Sequence, residues 1–420
     1  MTQEQQQRQQ LVTAEYIRGE TGARAEQGKG ECAIHGVVPA VVVEPSNGEQ
    51  AAAVLALCSA EGWKVETIGG GTWLGHGAAP DAAFVLISTR RLAGLEDYQP
   101  EDLTATAGAG TTLDVLQAGL MERRQWVALD PPSLPGSTIG ATVASASAGP
   151  LRARFGTPRD HVIGLDIATG DGRLLHFGGH VVKNVAGYDI VRPIIGSFGT
   201  LGLITRVSLR LRAIPDADET LAITVPRGDA PELAAAIAAA WPAVAIELLS
   251  PWLATEVIGE SAARPEWTLL VRLQGHPAEN VEGRTRINRL APAVAVDTGV
   301  WARLGSLEAA AEQYVRLAAK ITRMAETLNI ANTLSDHILT GPSRVAVHAC
   351  DGIVRLWGAP SAVHSAAPVT EAAQNIATID GTVIYRNAAQ RNAENGRRAR
   401  IEAGVRAAFD PAGILAGYRL

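Results

Sequence analysis

The chain holds only three cysteines in 420 residues, Cys32, Cys58 and Cys350, and they are scattered with no CxxC pair. A disulfide framework and a zinc or iron–sulfur centre built on paired thiolates are both excluded by that spacing. Any electron carrier would therefore be organic. A basic excess is also missing: the formal charge is −6 and the isoelectric point near 5.9, which argues against a nucleic-acid partner. No block of like charge marks a membrane-binding tail. No apolar run reaches the ~18 unbroken residues that a membrane span needs. The first ten residues, MTQEQQQRQQ, lack the basic-then-apolar pattern of a signal peptide, so a soluble, cytoplasmic chain without direct membrane insertion is the expectation. Aromatic residues are scarce at 5%. What remains is a long globular chain, more than one hydrophobic core usually serves, for which two lobes are expected.

Taken in order, residues 1 to about 33 are rich in Gln, Glu and Arg and read as a frayed or surface-helical extension. VVPAVVVEP then reads as a buried strand ended by Pro45. Ser46 and Glu49 have the spacing of a capping box ahead of the helix EQAAAVLALCSAEG. WKVETIGG is the next strand, FVLIST another, and LTATAG a third before a helix that starts near Thr111 or Thr112. HVIGLDIATGDGRLLHFGG reads as a hairpin turning at Thr169–Gly172, and LGLITRVSLRLRAIP alternates as a strand that ends at Pro215. Beyond it, residues 232–250 read as a helix, WTLLVRLQG as a strand, 305–328 as helical and SRVAVHA as a strand. A charged helix closes the chain and is expected to return to the first lobe.

Glycine and other small residues concentrate in three stretches: IGGGTWLG at 68–75, PGSTIGATVASASAG at 135–149, and the run from Gly196 to Gly202 that follows Lys183 and Asn184. Backbones of this kind approach a ligand closely, because glycine carries no Cβ and reaches positive φ at little cost. The three stretches read as walls of one slot for a flat, phosphate-bearing ligand. The first is not a dinucleotide loop of the Rossmann type. It follows a second strand, and Gly75, Gly77 and Pro80 prevent a helix after it. It fits a nest of successive N–H groups.

The blocks GGGTWLG, STIGATVASASAGP and RDHVIG with FGGHVVKNVAGYDIVRPIIGSFGTLGLITRVSLRL resemble the vanillyl-alcohol oxidase/p-cresol methylhydroxylase type of FAD-binding domain. Within it they are most similar to GlcE-type FAD-binding subunits of bacterial glycolate oxidase. The likeness covers 36–215, is weak over 216–380 and resumes at FDPAGIL. It implies an α+β, two-lobe fold: an N-terminal extension (1–35), a PCMH-type FAD-binding domain (36–215), a smaller α+β cap lobe for substrate or partner (216–380), and a C-terminal helix (381–420). In that resemblance Gly69, Gly70, Gly71, Thr72 and Trp73 nest the FAD diphosphate through main-chain N–H groups. Thr138, Ile139, Gly140 and Ala141 border the diphosphate and isoalloxazine, and Ala148 and Gly149 line the same groove. Gly199, Gly202 and Ile204 lie near the adenosine or diphosphate, with Lys183 and Asn184 the nearest polar side chains. Arg159 and Asp160 read as an ion pair at a strand start.

Departures from the family refine this picture. Relatives with covalent FAD carry a His after the glycine pair; here Thr72 stands there and His76 comes later, which implies noncovalent FAD. The D-lactate dehydrogenase branch carries an H-x-G-D-G-N-x-H metal and substrate motif in its second lobe. The nearest string here runs from His348 through Asp351 and Gly352 to Arg355 and lacks the Asn and the second His, so no metal is expected. The family's terminal NPGR is altered to Ala416-Gly417-Tyr418-Arg419. The implied activity is oxidation of a small 2-hydroxy acid, glycolate to glyoxylate. Electrons would pass through flavin to an iron–sulfur subunit beside a paralogous catalytic FAD subunit, in a complex held to the inner membrane only through partners. Such chemistry needs a base and a cation. His348, Arg355 and Arg386 are available, but no spacing joins them and none is assigned as catalytic. A non-catalytic FAD relay or assembly subunit stays open, as does an NAD(P)H-dependent reductase of the same fold, against which KNVAGYD speaks.

Overall fold

The computed structural model describes residues 13–72, 79–80, 83–179, 189–259, 266–360, 367–379, 381–386 and 397–415. Four strands form the first sheet: β1 (Arg24–Gln27), β2 (Val41–Glu44), β3 (Lys64–Ile68) and β4 (Phe84–Ser88), in the order β1-β2-β4-β3. β4 runs parallel to both β2 and β3, and parallel strands require a crossover. The helix Gly48–Glu61 supplies it and buries Val54, Leu55 and Cys58. Its cap is one residue later than the sequence suggests. Asn47 Oδ1 accepts from Gln50 N at 2.8 Å, while Ser46 donates to Gln50 Oε1, so the Ser46–Glu49 box does not form. The chain is also ordered earlier than expected: helix Ala14–Thr21 buries Ile17 completely, and β1 pairs antiparallel with β2.

The second sheet is antiparallel, with β5 (Leu95–Gln99), β6 (Thr104–Gly108), β8 (Val162–Ala168), β9 (Leu174–Gly178) and β10 (Leu203–Arg210) in the order β5-β6-β10-β8-β9. Two short strands, β7 (Gln125–Trp126) and β11 (Arg212–Ala213), pair beside it. The expected hairpin is β8 and β9, with Leu165 opposite Phe177. Asp160 is not an ion-pair partner of Arg159. Its carboxylate accepts from Thr157 N (2.8 Å) and Thr157 Oγ1 (3.1 Å), capping the one-turn helix Pro158–His161 that feeds β8.

The second lobe is one antiparallel sheet of eight strands: β12 (Ala217–Val225), β13 (Ala245–Leu249), β14 (Trp267–Gly275), β15 (Val294–Val296), β16 (Gln313–Ala318), β17 (Leu339–His348), β18 (Ile353–Pro360) and β19 (Thr382–Arg386). Two expected helices are broken here. The run 232–250 is helical only to Ala240. Trp241 and Pro242 then intervene, Pro242 having no N–H to continue the ladder, and Ala245–Leu249 is a fully buried strand. The run 305–328 likewise divides into the end of helix Val300–Ala309, strand β16 and the start of helix Met324–Ile338.

Alternation along the strands gives this sheet two different faces. Ile246, Leu248, Val347, Val354 and Leu356 pack under the helices Ala230–Ala240, Pro277–Leu290 and Met324–Ile338. On the other face Ala245, Leu249, Ala346 and Trp357 pack with the helices Pro251–Ile258 and Val300–Ala309. The end of the chain returns to the first lobe. After helix Arg397–Phe409, Asp410 accepts from Ile414 N and Leu415 N at 2.9 and 2.8 Å, and both side chains enter the core around β2 and β3. Val65 N donates to Ile414 O at 2.9 Å, and Lys64 Nζ to Gly413 O at 2.7 Å. Among the described residues no helix is long and apolar enough to cross a membrane.

Candidate functional site

Three chain segments meet where β3 ends. The loop Gly69–Thr72 leaves β3, the short helix Ile139–Ala144 starts beside it, and Phe198–Ile204 enters β10 opposite. Their closeness depends on missing Cβ atoms. A side chain at Gly70 would fall on the Gly136 carbonyl, and a Cβ at Gly140 would lie 2.7 Å from both the Ala109 Cβ and the Ala109 carbonyl oxygen. Between the segments lies a cavity of about 660 Å³, counted out to its open mouth. Its lining includes Gly69, Gly71, Thr72, Gly140, Ala141, Gly199, Gly202 and Ile204 from the sequence expectation. It also includes Ile68, Ala144, Ser145 and Phe198 from the same three stretches, and Thr67, Thr89, Ala109 and Leu203, which lie outside them. No charged side chain stands among these residues.

The amides around the cavity divide into two sets. At the helix, Ile139 N donates to Thr111 O (2.9 Å), Gly140 N to Ala109 O (2.8 Å) and Ala141 N to Thr138 Oγ1 (3.3 Å). These N–H groups are spent within the protein and can border a ligand but not hold one. In the loop, no described group accepts from the N–H of Gly69, Gly70, Gly71 or Thr72. A row of unspent backbone donors beside a neutral, apolar cavity is what a diphosphate joined to flat rings requires. The residues fit FAD on that ground. Thr72 Oγ1 accepts from Ser137 Oγ at 3.1 Å, which ties the loop to the segment before the helix. Phe198 lines the cavity at φ +52°, a costly backbone for a bulky residue and one found at ligand clamps.

Other expected site residues sit differently. Gly70 is packed on Gly136, Thr138 caps the helix, and Ile139 is fully buried in the core. Ala148 and Gly149 do not line this cavity; Gly149 packs on the main chain and carboxyl of Asp130. Trp73, His76, Lys183 and Asn184 lie outside the described residues, and so does most of KNVAGYD.

A second concentration of polar groups lies at the junction of the lobes. Glu247 on β13 stands directly opposite His348 on β17, and its carboxylate bonds His348 Nδ1 and an Arg355 terminal nitrogen. The other terminal nitrogen of Arg355 bonds Glu308, whose second oxygen accepts from Tyr314 OH at 3.0 Å. From the first lobe Arg152 Nε reaches Asp351 at 2.8 Å. Asp130, also from the first lobe, accepts from Leu151 N at 3.1 Å. Burial holds His348 well below its usual pKa, with Arg355, Arg152 and Arg316 adding to the effect. Burial pushes Asp130 up to about 7, against the Leu151 N–H and Arg272. For Arg355 burial opposes the charge, but Glu247 and Glu308 outweigh it and raise the pKa. Arg386 lies in β19 with its backbone opposite Tyr314.

Residues 39–178 match the FAD binding domain family. The chain is 42% identical over 129 residues to glycolate oxidase subunit GlcE of Escherichia coli, a stretch covering 30% of this chain and 37% of that one. It is 33% identical over 187 residues to D-lactate dehydrogenase of Archaeoglobus fulgidus, covering 44% and 41% respectively. The matches thus span about two fifths of each relative's own length. Alkyldihydroxyacetonephosphate synthase has the same fold at a TM-score of 0.68 and 16% identity, over 90% of this chain and 77% of that one. The chain therefore carries an FAD-binding domain of the PCMH type in a two-lobe α+β fold.

Proposed function

We propose that this chain is the FAD-binding subunit of a complex that oxidises a small 2-hydroxy acid, glycolate to glyoxylate. It would work in the cytoplasm beside a paralogous FAD subunit and an iron–sulfur subunit, reaching the inner membrane only through them. The observation that carries the reading is the row of unspent amides at Gly69–Thr72 beside the uncharged cavity. The similarity to a relative named glycolate oxidase subunit GlcE supports the substrate class and the complex. When bound, FAD supplies a hydride acceptor. The chain's own residues do the rest. The loop amides of Gly69–Thr72 hold the diphosphate, with Lys183, Asn184 and Trp73 as further contacts. Gly140, Ala141, Gly199, Gly202 and Ile204 close the walls and exclude water. Thr72 stands where relatives with covalent FAD carry a His, which supports a noncovalent cofactor.

The test is an absorbance spectrum of the purified chain, followed by acid precipitation. Flavin bands whose chromophore is released into the supernatant as FAD are expected. A chain that stays colourless after incubation with FAD sinks the assignment, and a flavin that stays with the pellet sinks the noncovalent part of it.

A further inference from the structure

We propose that a second cavity, walled by β7 and β11 on one side and by the second lobe on the other, is a docking site for an acidic segment of a partner protein. The segment carries an aromatic or aliphatic anchor among its carboxylates. This cavity shares no lining residue with the FAD cavity, and the proposal does not rest on the FAD reading. The first lobe supplies a wall of cations set on aromatic rings. Leu211 is 1% exposed and turned into the core, so Arg210 and Arg212 project from the opposite face of the chain. Arg154 joins them from the helix Arg152–Phe155. The Arg212 guanidinium lies 5.0 Å from the centre of the Phe155 ring, and Phe155 meets Trp126 edge-on at 5.9 Å. All three arginines are exposed, and none has a carboxylate within ion-pair distance among the described residues. Arginines close by are matched, Arg152 with Asp351 and Arg124 with Asp216.

Two carboxylates also line the cavity, Asp102 in the turn Pro100–Asp102 and Glu279 on the second lobe, and neither reaches one of its arginines. Glu279 is held at its own helix end, where it accepts from His276 N at 3.1 Å. The unmatched guanidiniums are thus a local surplus of positive charge in a chain of net charge −6. Opposite them the second lobe presents Trp241, Pro242 and Val244. Asn280, 4% exposed, also lines this wall; its Nδ2 donates to Leu273 O at 3.3 Å, and its Oδ1 accepts from no described group. That oxygen is left for an N–H of an incoming chain. Arginine and tryptophan carry much of the binding energy at protein interfaces, and clustered arginines read acidic motifs. Size favours a chain segment over a small anion. Counted out to its open mouth the cavity measures about 1650 Å³, against roughly 300–1,000 Å³ for a small-molecule pocket. A small anion would engage the arginines and leave the Trp241 wall untouched.

The test uses the full chain loaded with FAD and a short peptide of Asp and Glu interrupted by Phe, labelled with a red dye whose emission clears that of flavin. Fluorescence anisotropy follows binding. Saturable binding is expected, weakened about tenfold when sodium chloride rises from about 50 to about 200 mM. R210E and R154E are each expected to weaken it about tenfold or more, with melting temperature and flavin content unchanged. R210Q, which removes the charge without reversing it, is expected to lie between R210E and the wild type. Absence of saturable binding at millimolar peptide overturns the proposal, as does equal binding of a counterpart peptide with Lys in place of Asp and Glu. So does an affinity that R210E and R154E leave unchanged. Displacement of the labelled peptide by ADP at lower concentration than by unlabelled peptide also overturns it, and makes the cavity a site for a small organic phosphate.

Discussion

The two polar regions of this molecule are built on opposite rules. At the end of β3 the backbone dominates: among the described residues the loop donors have no acceptor, most lining side chains are small, and none is charged. At the lobe junction side chains dominate, and Arg355, Glu247, Glu308 and His348 bond one another inside the protein. An N–H row without partners costs little while it faces an open cavity that water or a ligand can fill. A buried guanidinium without a partner would cost several kcal/mol, so the junction closes on itself. Groups waiting for a ligand are thus told apart from groups holding a fold by whether they are satisfied, not by how polar they are.

The contrast can be broken most severely at the loop. Gly70→Val drives a side chain into the Gly136 carbonyl, and loss of FAD binding of a hundredfold or more is expected in a fluorescence titration, about 2.7 kcal/mol or above. At the junction the effect should move to stability. Arg355→Met leaves Glu247 and Glu308 uncompensated and should cost about 3–5 kcal/mol in denaturant unfolding, with FAD affinity intact.

Titration separates two junction groups by sign. The Asp130 carboxyl is raised to about 7 from 3.8, so the folded chain holds a proton that the unfolded chain has lost, and stability falls as pH rises through that window. Asp130→Asn keeps an acceptor for Leu151 N and should stabilise the protein at pH 8 by on the order of 3 kcal/mol, with no gain near pH 4. His348 is depressed, so its contribution is complete above its ordinary pKa of about 6.5 and is lost as pH falls below it. Thermal melts of the wild type and D130N across pH 4–8 check both. The smallest effect belongs to Thr72→Ala, which removes the Ser137 hydroxyl contact and should weaken FAD binding by about 0.5–1.5 kcal/mol, or a few-fold.

Much of the first region was legible in the sequence, because its determinants are local. Glycines 69–71 after a strand and the Thr169–Gly172 turn each act within a few residues, and the structure places a loop and a hairpin there. Local signals also misled. Ser46 and Glu49 have capping-box spacing, but Asn47 reaches the helix amide first. Alanine richness hid the break at Trp241 and Pro242, and the alternating QYVRLA of β16 was read as part of a helix. The junction was legible only in the string that holds His348, Asp351 and Arg355, not in the partners that complete it. Glu247 and Arg355 are 108 residues apart and Glu308 and Arg355 are 47 apart, so only sheet order and a helix packed on one face bring them together. Ala148 and Gly149 looked like cavity wall because small residues have the same signature whether they face a ligand or, as here, a buried carboxyl.

The return of the chain end bears on synthesis. The strand that delivers the glycine loop receives a hydrogen bond partner from Ile414 and a packed neighbour in Leu415. At about 5–20 residues per second, a ribosome that has just completed β3 needs roughly 20–70 s more to make those two residues. Throughout that interval the nascent cofactor lobe carries an unfinished edge next to its loop. The second lobe, contiguous from β12 to β19, can finish folding before the first lobe does. Birth order and completion order are therefore reversed, and the flavin slot is among the last parts of the protein to be sealed.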